Sequence, residues 1–293
     1  MTTRTREAVA AALAGSKGFS IVSNEKLLQL YATMVKCRMI AERARILLEQ
    51  NNLISNFDAV AGREAVEVGV AINLLTEDSV ASSQNGVVFN FIKGLSLEMI
   101  FGALPSYAAQ PNFDAQLKRA TGVALENKRK ANGRVTVVFC GSGSASPEFW
   151  HDALSLADAR QLPILFVCQN NFLAGPLRHK KRTGVAETAL KVDACSFPAI
   201  AVDGNDVVAV YRVATESIAH ARRGNGPTLI ECKVERSKSH DPIRKMEAYL
   251  MRKGLFGKEM KIEIAAGFTR QMDAAAKVVE TSHFPGKIEL SSH

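Results

Sequence analysis

The amino-acid sequence predicts an α/β fold in which helices cover both faces of a parallel sheet. Short runs that are apolar throughout, rather than alternating with polar residues, recur between residues 135 and 232. Longer segments whose apolar residues recur at helical spacing lie between these runs. A strand that is apolar on both sides belongs to a sheet buried on both faces, and the intervening helices provide the right-handed crossovers of parallel strands.

Each element is predicted from its local pattern. A long helix is expected over residues 25–50, with Asn24 as its N-cap and Asn51 and Asn52 at its end. Four buried strands are predicted from short runs rich in β-branched residues, at 135–140, 164–168, 199–202 and 228–232. Further helices are predicted at about 63–74, 97–104, 147–161 and 207–223.

The composition is that of an ordinary globular protein, with 47% hydrophobic and 23% charged residues. No apolar run reaches the ~20 residues that cross a bilayer, so we expect no membrane partner. The cysteines form no C-x-x-C pair, which argues against a zinc or redox site and for buried, reduced thiols in a cytoplasmic protein. These cysteines are Cys37, Cys140, Cys168, Cys195 and Cys232.

The chain organises into one large domain with an excess of positive charge. Residues 1–24 are predicted to be an N-terminal arm, 25–275 the α/β domain, and 276–293 a C-terminal tail. The net charge is +8, with basic residues concentrated at 178–182 and scattered between Lys233 and Lys261. No nucleic-acid-binding motif accompanies this charge, so a solvated loop or an anionic subunit partner fits better than nucleic acid.

Four polar segments follow the predicted strands and converge on one edge of the sheet. Ligands of open parallel sheets bind beyond the carboxyl ends of the strands. The most informative of the four is Gly141-Ser142-Gly143-Ser144, which lies between a strand and a helix. Glycines there let the backbone approach a phosphate at a helix N-terminus, although a G-x-G sequence alone equally predicts a tight turn. The other segments are 170–171, 203–205 and the residues after Val234.

Five segments of the chain carry motifs in a characteristic order and spacing: 62–69, 93–98, 141–171, 202–211 and 222–231. Together they resemble the alpha subunits of the thiamine-diphosphate-dependent 2-oxo acid dehydrogenases, which act on pyruvate, branched-chain 2-oxo acids or acetoin. The similarity spans roughly residues 25–275 and implies the thiamine-diphosphate-binding fold. It also implies a beta-type subunit as partner, or an oligomer of this chain with itself, because that family builds its site between alpha and beta subunits.

The resemblance implies which residues hold the cofactor. In the family, the Asp of a G-D-G motif, the second Asn of an N-N pair and a backbone carbonyl two residues further bind the magnesium ion of thiamine diphosphate. By position these are Ser142, Asn171 and the carbonyl of Leu173, while Gly141, Gly143 and Ser144 complete the cofactor loop. A serine hydroxyl is a weaker ligand for a hard cation than a carboxylate, so we expect a degraded metal site.

The sequence departs from the family at three other places around the same cavity. Gln84-Asn85 stands where the family has Tyr-Arg, with the Arg on the diphosphate, and the span between Phe101 and Arg134 is shorter than in the family. Read without gaps, Arg236 and His240 fall on the family's arginine and catalytic histidine. Read with a deletion, residues 241–243 and 248–255 match the next segment, and His240 simply precedes a helix. We favour the deletion, because it accounts for more residues.

Three functions follow from these observations. The first is an active alpha-like subunit that binds thiamine diphosphate and magnesium and uses His240 as its catalytic residue. The second is a non-catalytic paralogue that serves assembly or regulation. The third is a metal-free binder of another phosphorylated ligand, held by Ser142, Ser144 and backbone N–H groups, with the basic residues 178–182 adding charge.

Overall fold

The computed structural model describes residues 22–51, 62–83, 86–108, 112–141, 144–171, 196–235 and 237–281. Its centre is a five-stranded sheet in the order β1-β2-β3-β5-β4, and all four strand pairs are parallel. Helices lie on both faces of this sheet, which confirms the predicted α/β architecture. The strands are β1 Ser79–Ser82, β2 Thr136–Gly141, β3 Ile164–Asn171, β4 Ala199–Asp203 and β5 Thr228–Val234.

The four predicted strands are present, and the structure adds β1. The sequence Ser-Val-Ala-Ser of β1 is too short and too polar to stand out, so this strand was missed. The prediction that every strand is buried is wrong for β4, where Ala199, Ala201 and Asp203 are exposed. The reason is its position, because β4 is an edge strand that pairs only with β5.

The helices agree with the predicted segments, with three corrections. Ser23, not Asn24, caps the first helix, since its side-chain oxygen accepts a hydrogen bond from the Lys26 amide at 3.2 Å. The segment predicted as one helix at 97–104 is two short ones, and helices α3, α6 and α10 were not predicted. The helices are α1 Asn24–Gln50, α2 Glu64–Ala71, α3 Val87–Ile92, α4 Leu97–Gly102, α5 Leu104–Ala108, α6 Phe113–Lys130, α7 Pro147–Ala159, α8 Val207–Arg222, α9 Pro242–Arg252 and α10 Lys258–Thr281.

Two apolar layers sandwich the sheet. Helices α6 and α7 cover one face, where the Trp150 and Phe166 rings meet edge to face with centroids 5.4 Å apart. Helices α2 and α8 cover the other face. These two helices approach so closely that a Cβ atom added at Gly69 would lie 2.9 Å from Val210 Cγ1, which explains the glycine. Helices α1 and α10 pack outside this second layer.

A buried ionic cluster closes the amino end of the sheet. The Asp78 side chain accepts hydrogen bonds from the backbone amides of Leu75 and Val135, both at 2.8 Å. It also receives two bonds from the Arg222 guanidinium, at 2.6 and 3.1 Å. One carboxylate therefore ties the start of β1 to the start of β2 and to the last turn of α8.

Helix α10 passes through the predicted domain boundary at residue 275. Its Ala276 and Val279 are buried beyond that point, in the layer that includes Ile40 and Phe101. Within the described residues, no helix combines the length and the apolar character that crossing a membrane requires.

Candidate functional site

The carboxyl edge of the sheet brings together the strand ends that the sequence marked. Gly141, the last residue of β2, pairs with Gln169 of β3, and Asn171 at the end of β3 pairs with Val234 of β5. Neighbouring strands lie about 4.8 Å apart and each residue advances about 3.3 Å, so the backbones of Gly141 and Asn171 are close neighbours. Ser142, Gly143 and Leu173, the other predicted cofactor residues, lie outside the described residues.

Two serine hydroxyls hold the backbone where the cofactor loop begins. The Gly141 amide donates to Ser144 Oγ at 2.9 Å and to Ser83 Oγ at 3.2 Å. Each hydroxyl oxygen accepts there, so each keeps its own O–H hydrogen for another acceptor. Ser83 was not predicted from the sequence. Its position after the short strand β1, which sequence patterns do not reveal, is what brings it to the loop.

The two neighbouring asparagines at the end of β3, Asn170 and Asn171, make different contacts. The Asn170 side chain is buried and donates from Nδ2 to Glu231 Oε1 of β5 at 3.0 Å. This contact joins the ends of two adjacent strands and satisfies a carboxylate that is only 9% exposed. Asn171 continues the strand, and its backbone pairs with Val234. The Glu231 contact was not predicted, because the residues that make it are 61 positions apart.

Thiols form the apolar base beneath this edge. Cys140 and Cys168 pair across β2 and β3, with their sulfur atoms 3.0 Å apart. The hydrogen bond with Cys140 and burial raise the pKa of the Cys168 thiol, and burial raises the pKa of Cys232. Neutral thiols are poor nucleophiles and poor metal ligands. The four cysteines that the structure describes are therefore buried packing residues, as predicted, while Cys195 lies outside the described residues.

His240 lies in a one-turn 3₁₀ helix, Lys238–His240, directly before α9. Its Nδ1 atom is 2.8 Å from Glu235 Oε1, 2.8 Å from Ser237 Oγ and 3.1 Å from Ser239 Oγ. A carboxylate on Nδ1 favours the tautomer that carries its hydrogen there and presents Nε2 as the basic atom. Because both serines also face Nδ1, the cluster does not form a serine–histidine–acid nucleophile, in which the serine must meet Nε2.

The turn that carries His240 is fixed by the buried side chain of Asn205. Asn205 Nδ2 donates to the carbonyls of Glu235 at 3.1 Å and His240 at 2.8 Å, and its Oδ1 accepts from the Glu235 amide at 2.8 Å. The preceding Gly204 allows this approach, since a Cβ atom there would lie 2.7 Å from Val234 Cγ2. The sequence predicted a turn at 203–205 but gave no sign of this contact with the segment after β5.

An ion-pair network anchors the same turn to the helices behind it. Arg38 donates to both oxygens of Asp241, at 2.8 and 3.1 Å, and to Glu64 Oε1 at 2.7 Å. Asp241 also caps α9 through the Ile243 amide. Burial raises the pKa of the Asp241 carboxyl, but the hydrogen bonds from Arg38 outweigh this and lower it below its ordinary value. Helices α1 and α2 thus hold the segment beyond β5 in place.

Among the described residues, no group of three or more histidine, cysteine, aspartate or glutamate side chains could hold a metal ion. Several other residues that the sequence analysis named lie outside the described residues. These are Gln84, Asn85, Arg236 and the basic stretch 178–182.

Comparisons with known proteins identify the family of this chain. A family model described as the dehydrogenase E1 component matches residues 31–241. The chain is 31% identical over 246 residues to the alpha subunit of acetoin:2,6-dichlorophenolindophenol oxidoreductase from Bacillus subtilis, covering 76% of this chain and 74% of that protein. It is 26% identical to pyruvate dehydrogenase E1 component subunit alpha from Staphylococcus aureus, covering 89% and 80%. It is also 26% identical to subunit alpha-3 of the chloroplastic pyruvate dehydrogenase E1 component from Arabidopsis thaliana, covering 92% and 74%. The chain therefore belongs to the dehydrogenase E1 component family, as a divergent alpha-subunit member.

Proposed function

We propose that this chain is the alpha-type subunit of a thiamine-diphosphate-dependent 2-oxo acid or acetoin dehydrogenase, and that its metal site is weakened. The observation that carries the proposal is the placement of Gly141 and Asn171. These residues end adjacent strands at the carboxyl edge, where the family's two cofactor motifs are expected to meet. The names of the relatives support an alpha subunit that works with a beta-type partner.

The residues at this edge fit a diphosphate better than they fit its cation. The hydroxyls of Ser83 and Ser144 each keep a hydrogen to donate, beside the backbone of Gly141. Ser142, Asn171 and the Leu173 carbonyl would hold magnesium, but all three supply neutral oxygens. A hard divalent cation prefers carboxylates, so the expected affinity for magnesium is low. Thiamine diphosphate, when bound, supplies the carbon nucleophile and electron sink of the reaction.

On the ungapped reading of the sequence, His240 would be the proton-transfer residue of the same site. The segment after β5 is anchored by Asn205, and Glu235 faces Nδ1 of the ring, which leaves Nε2 directed away from both. The histidine is half exposed, so a substrate can reach it. Its role would be to move a proton at Nε2, while Asn205 and Glu235 hold the ring.

The proposal is tested by binding and assembly together. The chain is co-expressed with a beta-type subunit of the family, and the purified complex is titrated with thiamine diphosphate and magnesium by calorimetry. We expect a stable complex that binds the cofactor weakly, and Ser142→Asp to increase the apparent affinity at limiting magnesium by about tenfold or more. The control is Ser155→Asp, which adds the same charge at an exposed position of α7.

Each outcome decides one part of the proposal. Equal effects of Ser142→Asp and Ser155→Asp would show that residue 142 is not a metal ligand. Failure to bind any beta-type subunit would contradict the alpha-subunit assignment. A stable complex that binds no cofactor, even with Ser142→Asp, would favour a non-catalytic subunit that serves assembly or regulation.

A metal-free site for a different phosphorylated ligand is the second candidate. The two free serine hydroxyl hydrogens beside Gly141 favour it, because they can bind phosphate oxygens without a cation. A thermal-shift panel of phosphorylated metabolites, run in the presence of a chelator, separates this candidate from the first. A panel without any shift eliminates it.

A further inference from the structure

A groove between α8 and α9 is not accounted for by the proposed function. The two helices start side by side, since Asn205 before α8 bonds to the His240 carbonyl before α9. Between the two helices lies a cleft of about 220 Å³. We call it the basic groove, and it is lined chiefly by Val208, Arg212, Lys245, Met246, Tyr249 and Arg252.

The two ends of the basic groove differ in charge. At the near end, the Lys245 ammonium is neutralised by Asp203 Oδ2 at 2.5 Å and faces Asp206 Oδ2 at 3.7 Å. At the far end, Arg212 and Arg252 form no ion pair with any carboxylate of the described residues. Arg212 lies six residues after Asp206 and Arg252 seven residues after Lys245, which places them about 9 to 11 Å further along the helices.

Between these ends the floor of the basic groove is apolar and aromatic. Val208 and Met246 form it, and the half-buried ring of Tyr249 stands beside them. The Arg252 guanidinium lies 5.9 Å and the Lys253 ammonium 5.6 Å from the centroid of this ring. Glu247, the one acidic residue within α9, does not line the groove, because it bonds to Tyr31 and Lys261 instead.

We propose that the basic groove binds a short acidic segment of a partner protein, with an apolar side chain seated on Met246 and Tyr249 and carboxylates paired with Arg212 and Arg252. Charge complementarity identifies the partner, because these guanidiniums and Lys253 have no acidic partner in the described chain. The size of the cleft agrees, since small-molecule sites usually measure about 300 to 1,000 Å³, whereas this cleft suits one anchoring side chain. Arg252 and Lys253, which belong to the scattered basic residues between Lys233 and Lys261, thereby acquire a role that does not depend on cofactor binding.

The test uses the full-length chain and two fluorescein-labelled peptides of about ten residues, enough to follow two helical turns. One peptide has leucine and phenylalanine within a run of glutamates, and the other replaces both with serine at equal charge. Fluorescence anisotropy should show binding that weakens as salt is added and favours the first peptide. Arg212→Glu with Arg252→Glu should weaken this binding at least about tenfold. Tyr249→Ser should remove the preference between the two peptides.

The matched control reverses two exposed arginines on the other face of the sheet, Arg119→Glu with Arg129→Glu on α6. This control has the same net charge as the Arg212→Glu, Arg252→Glu variant but leaves the basic groove unchanged. Its peptide binding should therefore stay close to that of the unmodified chain. Equal weakening by both double variants would overturn the proposal, as would no binding, or tighter binding of an RNA oligonucleotide or anionic lipid vesicles that depends on the same arginines. If charge reversal disturbs folding, as judged by circular dichroism, Arg212→Gln with Arg252→Gln provides the same test.

Discussion

The two ends of the sheet are built on opposite principles. At the amino end, the buried Asp78 carboxylate is bonded to two backbone amides and to Arg222. At the carboxyl end, the groups around Gly141 are neutral hydroxyls and amides, and the one histidine, His240, is half exposed. The amino end therefore contributes mainly stability, whereas at the carboxyl end the hydroxyls of Ser83 and Ser144 accept from the Gly141 amide and each keep an O–H hydrogen to donate.

The largest effect is expected from Asp78→Ala at the amino end. The change leaves Arg222 and the backbone amides of Leu75 and Val135 without their shared acceptor. Val135 is fully buried, so water cannot replace the lost acceptor there. Breaking a buried ion pair from one side costs about 3 to 5 kcal/mol. Urea unfolding followed by circular dichroism measures the change, with exposed Asp152→Ala as the control. A loss no larger than that of the control would show that the cluster is not what stabilises this end.

A smaller loss is expected from Asn170→Ala at the carboxyl end. Glu231 loses the hydrogen bond that joins the ends of β3 and β5, although part of its carboxylate can still reach solvent. Leaving a buried polar group unsatisfied costs about 1 to 3 kcal/mol. Asn225→Ala in the exposed turn before β5 is the control. A destabilisation as large as that of Asp78→Ala would remove the contrast between the two ends.

The sequence predicted the framework well and the contacts within the site poorly. Strands β2, β3 and β5 were predicted because each is an unbroken apolar run, and their order along the chain with helices between them led to a parallel sheet. Local patterns carry no information on pairs distant in sequence. The Asn170–Glu231 and Asn205–His240 contacts, and the approach of Ser83 to Gly141, depend on the strand order and so became visible only in the structure.

The pH dependence of stability distinguishes the ion pair of Arg38 and Asp241 from the serine hydroxyls beside Gly141. The folded pKa of Asp241 is lowered, so its contribution is present above the ordinary value of 3.8 and is lost as the pH falls below it. Asp241→Asn keeps a helix cap but removes this charge. We expect the variant to be less stable at neutral pH, with the difference closing as the pH falls below the ordinary value of 3.8. Urea unfolding over this range measures it, and a difference that is constant with pH would contradict the role of the Arg38 ion pair.

The smallest effect on stability, and the most specific one on chemistry, is expected from Glu235→Ala. The Glu235 side chain is 38% exposed and its backbone remains held by Asn205, so the free energy of unfolding should change by less than about 1 kcal/mol. The imidazole, however, loses the carboxylate that faces Nδ1, and only the two serine hydroxyls remain there. Nitrogen-15 spectra of the His240 ring should then show a larger share of the tautomer protonated at Nε2. Glu235→Gln, whose amide oxygen can still accept from Nδ1, should restore most of the original spectrum. Unchanged ring resonances in Glu235→Ala would mean that the two serines orient the His240 ring without the carboxylate.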